Sequence, residues 1–216
     1  MNSPEPTVFI VDDDEAVRDS VAILLECAGF RVESFDSPLA FLRSDAPSRR
    51  GCLLVDVRMP QMSGLDVQER LAQEGRAMPV IVMTGHADVP LAVRAMKAGA
   101  VNFLSKPFEE ETLLAAIEEA VSRDQRRRAE AQRDESIRLR YDSLTPRERE
   151  VMGLVTAGLM NKQVAWRLSL SEITVKIHRG NMMRKMQAKS LAELVRMADL
   201  LGVRQAPPDQ QAARDN

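Results

Sequence analysis

Four apolar runs in the first half of the chain each end in polar or charged residues, and this arrangement restricts the fold more than any other feature. The runs are 7–11, 52–55, 79–83 and 101–104. Each has the length and composition of a parallel strand that is buried on both faces. The residues that end them are Asp12 with Asp13, Asp56, Thr84, and Lys106 with Pro107. In an open, doubly wound sheet the carboxyl ends of the strands line one crevice, so we expect these distant residues to converge.

The residue types expected at this edge suit phosphoryl chemistry. Mg²⁺ prefers oxygen ligands, and a few carboxylates are enough to hold it while it keeps several waters. An aspartate can act as a nucleophile, whereas a lysine ammonium and a threonine hydroxyl can bind phosphoryl oxygens. Any one such residue after a strand is more commonly a turn or capping residue, and we assign that role to Asp14. Because order, position and residue type agree at all four places, the sequence predicts a magnesium-dependent phosphate site.

Helical segments alternate with the strand-like runs. Residues 14–28 carry apolar side chains at helical spacing, and Gly29 ends the segment. The other helical segments are 37–43, 64–73, 89–98 and 109–121. Five strand and helix units predict an α/β doubly wound, five-stranded parallel sheet with helices on both faces.

Four motifs resemble the receiver domain of bacterial two-component response regulators, over residues 7–121. They are VFIVDDDEAVRDS, LLVDVRMPQMSGLD, VIVMTGHADVPLAVRAMKAGA and FLSKPFEE. The resemblance implies a flavodoxin-like fold in which Asp56 accepts a phosphoryl group from a sensor histidine kinase. It also implies a Mg²⁺ site at Asp12, Asp13, Asp56 and the backbone carbonyl of Arg58. Slow self-dephosphorylation is the only reaction expected of such a phosphoacceptor, so the chain is not expected to be an enzyme.

The same resemblance identifies residues that bind phosphate and switch the domain. Lys106 matches the lysine that pairs with the phosphoaspartate, and its bond to Pro107 is usually cis in this family. Thr84 and Phe103 match the pair whose hydroxyl and ring move on phosphorylation, although Phe103 replaces the commoner tyrosine and lacks its hydroxyl. A homodimer is expected when the domain is phosphorylated, through the face of residues 89–98 and Phe103.

Charge divides the chain into two parts. The 216 residues have a net charge of −2. Residues 1–121 carry 20 acidic and 11 basic side chains, a balance of −9, whereas 122–216 carry 12 acidic and 19 basic, a balance of +7. An acidic half suits a metal and phosphoryl site, and a basic half suits a polyanion such as nucleic acid, although a basic half can also be only a solvated surface.

The two cysteines and the apolar segments indicate the cellular compartment in which the protein is expected. Cys27 and Cys52 lie in a helical and a strand-like segment, where we expect both to be small, buried apolar residues. No window approaches the roughly eighteen apolar residues of a membrane span, and the N-terminus lacks the features of a signal peptide. We therefore expect a soluble, cytoplasmic protein that does not bind membranes.

Composition changes after the first domain. Residues 122–142 are highly charged and lack Gly, Pro and an a/d heptad, which predicts an exposed helical linker. A solvated charged helix is preferred here to a segment that contacts DNA. Residues 143–202 predict a compact all-helical domain, and 203–216 predict a disordered tail.

The helical domain contains the signals of a helix-turn-helix. Thr145 and Glu148 are spaced as a capping box at the start of its first helix. A second helix over 162–168 ends in a short turn, and Ser171 caps a third helix over 172–186. The residues expected to pack these two helices together are Val164, Ala165, Leu168, Val175 and Trp166.

The segment LTPREREVMGLVTAGLMNKQVAWRLSLSEITVKIHRGNMMRKM closely resembles the LuxR-type DNA-binding domain. Together with the receiver, it indicates the NarL/FixJ family and its FixJ branch. The resemblance implies a transcription factor that binds double-stranded promoter DNA and acts with RNA polymerase, usually as an activator. The predicted DNA contacts are Thr174, Lys176, Ile177, Arg179, Arg184 and Lys185. Lys176 and Ile177 are expected to read base edges, whereas a third contact position carries Gly180 and leaves the site sequence open.

A magnesium-dependent phosphatase of the haloacid dehalogenase type is one alternative. Asp12 and Asp14 satisfy its Asp-x-Asp motif, and Thr84 and Lys106 follow in the right order. That family needs further acidic residues after the lysine, typically as an Asp pair. In the linker that follows, the only aspartates are the isolated Asp124, Asp134 and Asp142.

A DNA-binding protein whose receiver is only an interaction platform is the second alternative. A degenerate receiver would not need Asp13, Asp56, Thr84 and Lys106 together, so the intact set favours the phosphorylated switch.

Overall fold

Residues 5–86 and 89–204 are described by a computed structural model, in which the chain forms two compact units. The first unit extends to Arg128, and the second begins at Ala129. The division falls inside one long helix, Glu110–Asp142.

A parallel sheet forms the centre of the first unit. Its strands are β1 (Thr7–Val11), β2 (Arg31–Phe35), β3 (Gly51–Asp56), β4 (Val80–Thr84) and β5 (Asn102–Ser105). The five strands are ordered β2-β1-β3-β4-β5, and every neighbouring pair is parallel. The predicted fold class is therefore confirmed. Three strands extend one residue further than predicted at their carboxyl ends, so that Asp56 and Thr84 are the last residues of β3 and β4.

Helices cover both faces of this sheet. They are α1 (Glu15–Cys27), α2 (Pro38–Arg43), α3 (Gly64–Gln73), α4 (Val89–Lys97) and α5 (Glu110–Asp142), with a short 3-10 turn at Ala46–Ser48. Side chains of β1 alternate between two cores: Val8 and Ile10 pack with α1 and α5, whereas Phe9 and Val11 pack with α2 and α3. Full burial of such a side chain contributes about 1.5–3 kcal/mol, so two filled cores hold the sheet between the helices.

Local signals in the first unit are largely as predicted, with one exception. The side chain of Asp14 accepts hydrogen bonds from the backbone N–H groups of Ala16 and Val17, so Asp14 is the N-cap of α1. Cys52 is buried, and this burial, together with the nearby charge of Asp124, raises the pKa of its thiol to about 12. The prediction for Cys27 is wrong: it is the last residue of α1 and faces solvent.

The charged segment 122–142 is less exposed than predicted. It continues α5 without a break, but Asp124 is only 2% exposed in the first unit and Ile137 only 4% exposed in the second. Asp124 is buried because it accepts hydrogen bonds from Gly51 and from two arginines, whereas Ile137 belongs to the apolar core of the helical unit.

The regular elements of the second unit are all helices within its described residues. After the end of α5 come α6 (Pro146–Thr156), α7 (Asn161–Leu168), α8 (Glu172–Met186) and α9 (Leu191–Leu201). The capping box of Thr145 and Glu148 is formed, and the hydroxyl of Ser171 accepts from the backbone N–H of Thr174 at the start of α8. The predicted helix-turn-helix is therefore present.

Trp166 is not part of the core between α7 and α8. Val164, Ala165 and Val175 are buried there as expected, but Trp166 is 85% exposed. Val164 and Ala165 already occupy the inner face of the short helix α7, so the next residue is turned outward by the helical period.

The predicted tail begins inside the described part of the chain. Val203 packs against the core of the second unit, and Arg204 forms an ion pair with Asp199. The rest of the predicted tail, residues 205–216, lies outside the described residues. Among the helices that the structure describes, none is both long enough and apolar enough to cross a membrane.

Candidate functional site

The carboxyl ends of β1, β3 and β5 bring Asp12, Asp56 and Lys106 into direct contact. Lys106 Nζ lies 2.5 Å from Asp12 Oδ2 and 2.6 Å from Asp56 Oδ1. One ammonium therefore bridges two carboxylates whose residues are 94 and 50 positions away in sequence. The peptide bond between Lys106 and Pro107 is cis, as the resemblance implied.

Backbone amides hold the second oxygen of each carboxylate. Asp56 Oδ2 accepts a hydrogen bond from the backbone N–H of Arg58 at 2.5 Å, and Asp12 Oδ1 accepts from that of Asp14 at 3.0 Å. The start of α3 can lie close to the backbone of Asp56 because Gly64 has no side chain. A Cβ at Gly64 would lie 2.3 Å from the carbonyl oxygen of Asp56. These bonds orient both carboxylates before any ligand arrives.

Burial and charge act against each other at this site. Burial raises the pKa of Asp12 above its ordinary value, and the negative charge of Asp56 adds to the effect, while Lys106 and the Asp14 N–H oppose it. Burial would also lower the pKa of Lys106, but its hydrogen bonds to Asp12 and Asp56 outweigh this and raise it. The lysine therefore stays charged, and the carboxylates retain a surplus of negative charge beside it.

Only some of the predicted Mg²⁺ donors lie close together. Asp13 directly follows Asp12, but its side chain faces solvent, whereas Arg58, whose backbone carbonyl is the predicted donor, lies two residues after Asp56. Within the part of the chain that the structure describes, no group of three or more His, Cys, Asp and Glu side chains is close enough to hold a metal ion. The donor chemistry nevertheless suits Mg²⁺, because the available atoms are oxygens and the buried carboxylates carry surplus negative charge.

The two predicted switch residues lie on the neighbouring strands β4 and β5. Thr84 is fully buried, and its hydroxyl accepts from His86 N at 3.2 Å and contacts the His86 carbonyl oxygen at 3.4 Å. Phe103 pairs with Val82 across the two strands and packs, partly exposed, against the core on that face. In this conformation the hydroxyl of Thr84 is therefore engaged by the loop after β4.

Helix α8 presents the side chains predicted to read DNA bases. Val175, Met182 and Met186 face the core, whereas Lys176 and Ile177 lie on the outer surface, Ile177 with 57% exposure. Two exposed neighbours, one cationic and one branched apolar, form a surface of the kind that enters a major groove.

The other four predicted DNA residues are held by neighbouring groups. Arg179 donates to Asn161 Oδ1 at 3.0 Å, and Arg184 donates to Asn181 Oδ1 at 2.7 Å. The Thr174 hydroxyl lies 2.8 Å from that of Ser171 at the helix N-terminus. Lys185 Nζ lies 2.7 Å from Glu148 Oε2, and Glu148 is buried. Lys185 thus has a structural partner, and its contact with DNA stays a prediction.

Two of these partnerships, and that of Asp124 in the first unit, were not foreseen from the sequence. Glu148 carries a local capping signal, but nothing near it indicates a partner 37 residues later. The same holds for Asn161 with Arg179, and for Asp124, which looked like an isolated linker residue. Each pair joins elements that are distant in sequence, and only the packed fold brings them together.

Comparisons with known proteins agree with this geometry. The family model of the response regulator receiver domain matches residues 8–118, and that of the luxR family of bacterial regulatory proteins matches 142–198. The chain belongs to the two-component response regulators that join a receiver to a LuxR-type DNA-binding domain. Its receiver implies a kinase partner, and its second domain implies binding to DNA.

Relatives match along nearly the whole chain. Nodulation protein W of Bradyrhizobium diazoefficiens is 50% identical over 202 residues, which cover 93% of this chain and 88% of that protein. Transcriptional regulatory protein FixJ of Azorhizobium caulinodans is 46% identical, with coverage of 94% and 95%. The solved structure of the response regulator StyR has a TM-score of 0.82 at 47% identity, covering 90% of this chain and 98% of that one.

Proposed function

We propose that this chain is a transcription regulator switched on when Asp56 accepts a phosphoryl group from a sensor histidine kinase. The observation that carries the proposal is the position of Lys106 Nζ, 2.6 Å from Asp56 Oδ1 and 2.5 Å from Asp12 Oδ2. A carboxylate held beside a fixed cation is oriented for nucleophilic attack. The same cation then remains beside the oxygens of the transferred group.

The transfer requires few protein groups. A carboxylate oxygen of Asp56 attacks the phosphorus of the kinase's phosphohistidine, the P–N bond breaks with its electron pair going to the imidazole, and an acyl phosphate forms. Lys106 binds an oxygen of the transferred group. We assign Asp12, Asp13, Asp56 and the carbonyl of Arg58 as donors to Mg²⁺, which when bound neutralises charge on the phosphoryl oxygens. Slow hydrolysis then releases phosphate without a separate side-chain base.

Thr84 and Phe103 couple phosphorylation of Asp56 to the surface formed by α4 and β5. A phosphoryl group adds about two negative charges and strong acceptor oxygens. In the proposed switch the hydroxyl of Thr84 leaves the backbone of His86 to bind this group, and the ring of Phe103 turns inward. Helix α4 and β5 then form the surface of a homodimer.

The dimer places two copies of α8 on promoter DNA. Lys176 and Ile177 read base edges, while Arg179 and Arg184 strengthen attraction to the phosphate backbone. Bound in this way, the regulator acts with RNA polymerase on transcription. Support comes from the exposure of Lys176 and Ile177 and from the basic balance of the second half of the chain.

Intact-mass spectrometry after incubation with acetyl phosphate tests the phosphoacceptor. We expect one added phosphate in the presence of Mg²⁺ and none with a chelator. Asp56→Asn should remain unmodified, whereas the matched control Asp66→Asn, an exposed aspartate of α3, should be modified like the parent. Modification of Asp56→Asn would overturn the assignment of Asp56 as the phosphoacceptor. Full modification without a divalent cation would overturn the requirement for Mg²⁺.

A further inference from the structure

Two branched apolar side chains lie one helical turn apart on the exposed side of α8. Ile173 is 71% exposed and Ile177 is 57% exposed. Each is two residues away from the buried Val175, so at about 100° per residue both point to the side of α8 opposite the core. Single exposed apolar residues are ordinary on protein surfaces, but this pair forms a small apolar ridge. Only Ile177 was expected from the sequence to contact DNA.

The packing of the second unit does not require Ile173. The buried side of α8 is formed by Val175, Met182 and Met186. Within the described residues, Ile173 belongs neither to the core of this unit nor to the partly buried side chains packed against it. Isoleucine is also a weaker helix former than alanine. The side chain of Ile173 is therefore available to a partner.

The first turn of α8 holds Ile173 in a defined direction. The hydroxyl of Ser171 accepts a hydrogen bond from the backbone N–H of Thr174 at 3.1 Å, which closes the helix on both sides of Ile173. In a helix, isoleucine strongly prefers one rotamer about its first side-chain bond. A side chain that is ordered in advance loses little entropy when a partner covers it.

The place of Ile173 in the helix-turn-helix indicates which partner covers it. In this motif the N-terminal residues of the second helix contact base edges in the major groove, and Ile173 is the second residue of α8. Lys176, which is exposed and predicted to read bases, follows three residues later. An isoleucine side chain has no hydrogen-bonding group. The apolar group that base pairs present in the major groove is the C5-methyl of thymine.

We propose that Ile173 is a further sequence-reading residue, which packs against the methyl group of a thymine in the promoter; this rests on the proposed binding of α8 in the major groove. Ile177 meets a second thymine methyl. Four residues of a helix span about 6 Å, and base pairs are about 3.4 Å apart. The preferred site therefore contains two thymines about two base pairs apart where α8 follows the groove.

Selection from a library of randomised duplexes tests this role, with the full-length chain in the presence of beryllofluoride and Mg²⁺. Ile173→Ala should keep α8 intact, because alanine is the better helix former, but should lose the preference for thymine at one position of the site. Ile23→Ala, which shortens a similarly exposed isoleucine of α1, should select the same site as the parent.

Replacement of that thymine by uracil provides the second measurement, because it removes the methyl group and leaves the hydrogen-bonding groups of the base unchanged. The parent should bind the uracil duplex about fourfold more weakly, the equivalent of one buried methyl group. Ile173→Ala should bind the two duplexes equally.

The outcomes separate this inference from the proposed function. Retention of the parental preferences by Ile173→Ala, or an equal effect of uracil on parent and variant, would overturn the role of Ile173 while the reading of DNA by α8 stands. Loss of a preference for a base other than thymine would overturn the contact with a methyl group. A parent that selects no sequence would overturn both the proposed reading of DNA and this inference.

Discussion

Asp124, in the middle of α5, accepts a hydrogen bond at 3.1 Å from the backbone N–H of Gly51, which begins β3 73 residues earlier. Arg128 Nε donates to the same carboxylate at 2.8 Å, and another nitrogen of its guanidinium donates to the carbonyl of Arg49. Gly51 is required at this turn: its φ is +137°, and a Cβ would lie 1.7 Å from the carbonyl oxygen of Thr7. This cluster fastens the charged part of α5 to the sheet.

Asp124→Ala should therefore destabilise the first unit by about 3 kcal/mol, because it leaves an unpaired amide and two arginines without their buried partner. Glu135→Ala, at an exposed position of the same helix, should change stability by no more than about 0.5 kcal/mol. Urea unfolding followed by far-UV circular dichroism measures the effect. Equal stability of the two variants would contradict the role of Asp124.

The fold could be predicted largely because its strands are buried on both faces and appear as continuous apolar runs. The edge strand Arg31–Phe35 has no such run, since its side chains are only partly buried, and its bounds came from the structure. Polar residues at strand ends identified Asp12, Asp56 and Lys106, because topology alone brings strand ends together. The contacts of Asp124 and Lys185 could not be predicted, since they depend on how distant elements pack.

Asp12→Asn should stabilise the first unit at neutral pH. Burial raises the pKa of Asp12 above its unfolded value of 3.8, so the folded state is penalised once the unfolded carboxylate ionises. Below pH 3.8 both states are protonated and the gain from the substitution should vanish. Thermal unfolding of parent and variant between neutral pH and pH 3 measures the difference in stability. A gain in stability that grew on acidification would show that the folded state lowers the pKa of Asp12 instead of raising it.

Lys185→Met should destabilise the helical unit, because it leaves the buried carboxylate of Glu148 without its cation. A loss of about 1–3 kcal/mol is expected, less than for a fully buried pair, since the side chain of Lys185 is 37% exposed. Urea unfolding followed by the far-UV circular dichroism of the helices provides the measurement. Arg184→Met, at the exposed neighbouring position, should unfold like the parent; if the two variants behave alike, the pair has no structural role.

The same pair predicts a pH dependence. Burial would raise the pKa of Glu148, but hydrogen bonds from Lys185 and from the Thr145 N–H outweigh it and hold the pKa below 4.5. The stabilisation is therefore present above pH 4.5 and is lost as the pH falls through the lowered folded value. Acid titration of the second unit should show this loss in the parent and a smaller one in Glu148→Gln.

Helix α4 should form the dimer surface when Asp56 is phosphorylated. Val89, Val93 and Met96 are 77%, 45% and 49% exposed and follow one another at helical spacing, so they form an apolar stripe. With beryllofluoride and Mg²⁺ the parent should sediment as a dimer at micromolar concentration, and Val93→Asp should remain a monomer. Ile23→Asp, which charges an exposed apolar position on α1, should still dimerise. A monomeric parent would exclude this coupling.

DNA recognition should depend on Lys176 in a way that differs from Arg184. Lysine can donate to guanine acceptors in the major groove, so Lys176→Ala should cost about 1–3 kcal/mol at the preferred site and relax the base preference there. Arg184→Ala should weaken binding to all sequences alike and reduce the salt dependence by about one counterion.

Substitutions at Gly180 of α8 are sterically possible, because a Cβ added there meets nothing within 4 Å. Gly180→Ala should stabilise α8 by about 0.5–1 kcal/mol, since it removes the entropy cost of a helical glycine, without changing the base preference. Gly180→Lys should instead add a preference at one further position, because its ammonium can reach a base that the parent leaves unread. Binding titrations over a randomised operator library at two salt concentrations separate these outcomes. Retention of the parental base preference by Lys176→Ala would show that α8 does not read the sequence through this residue.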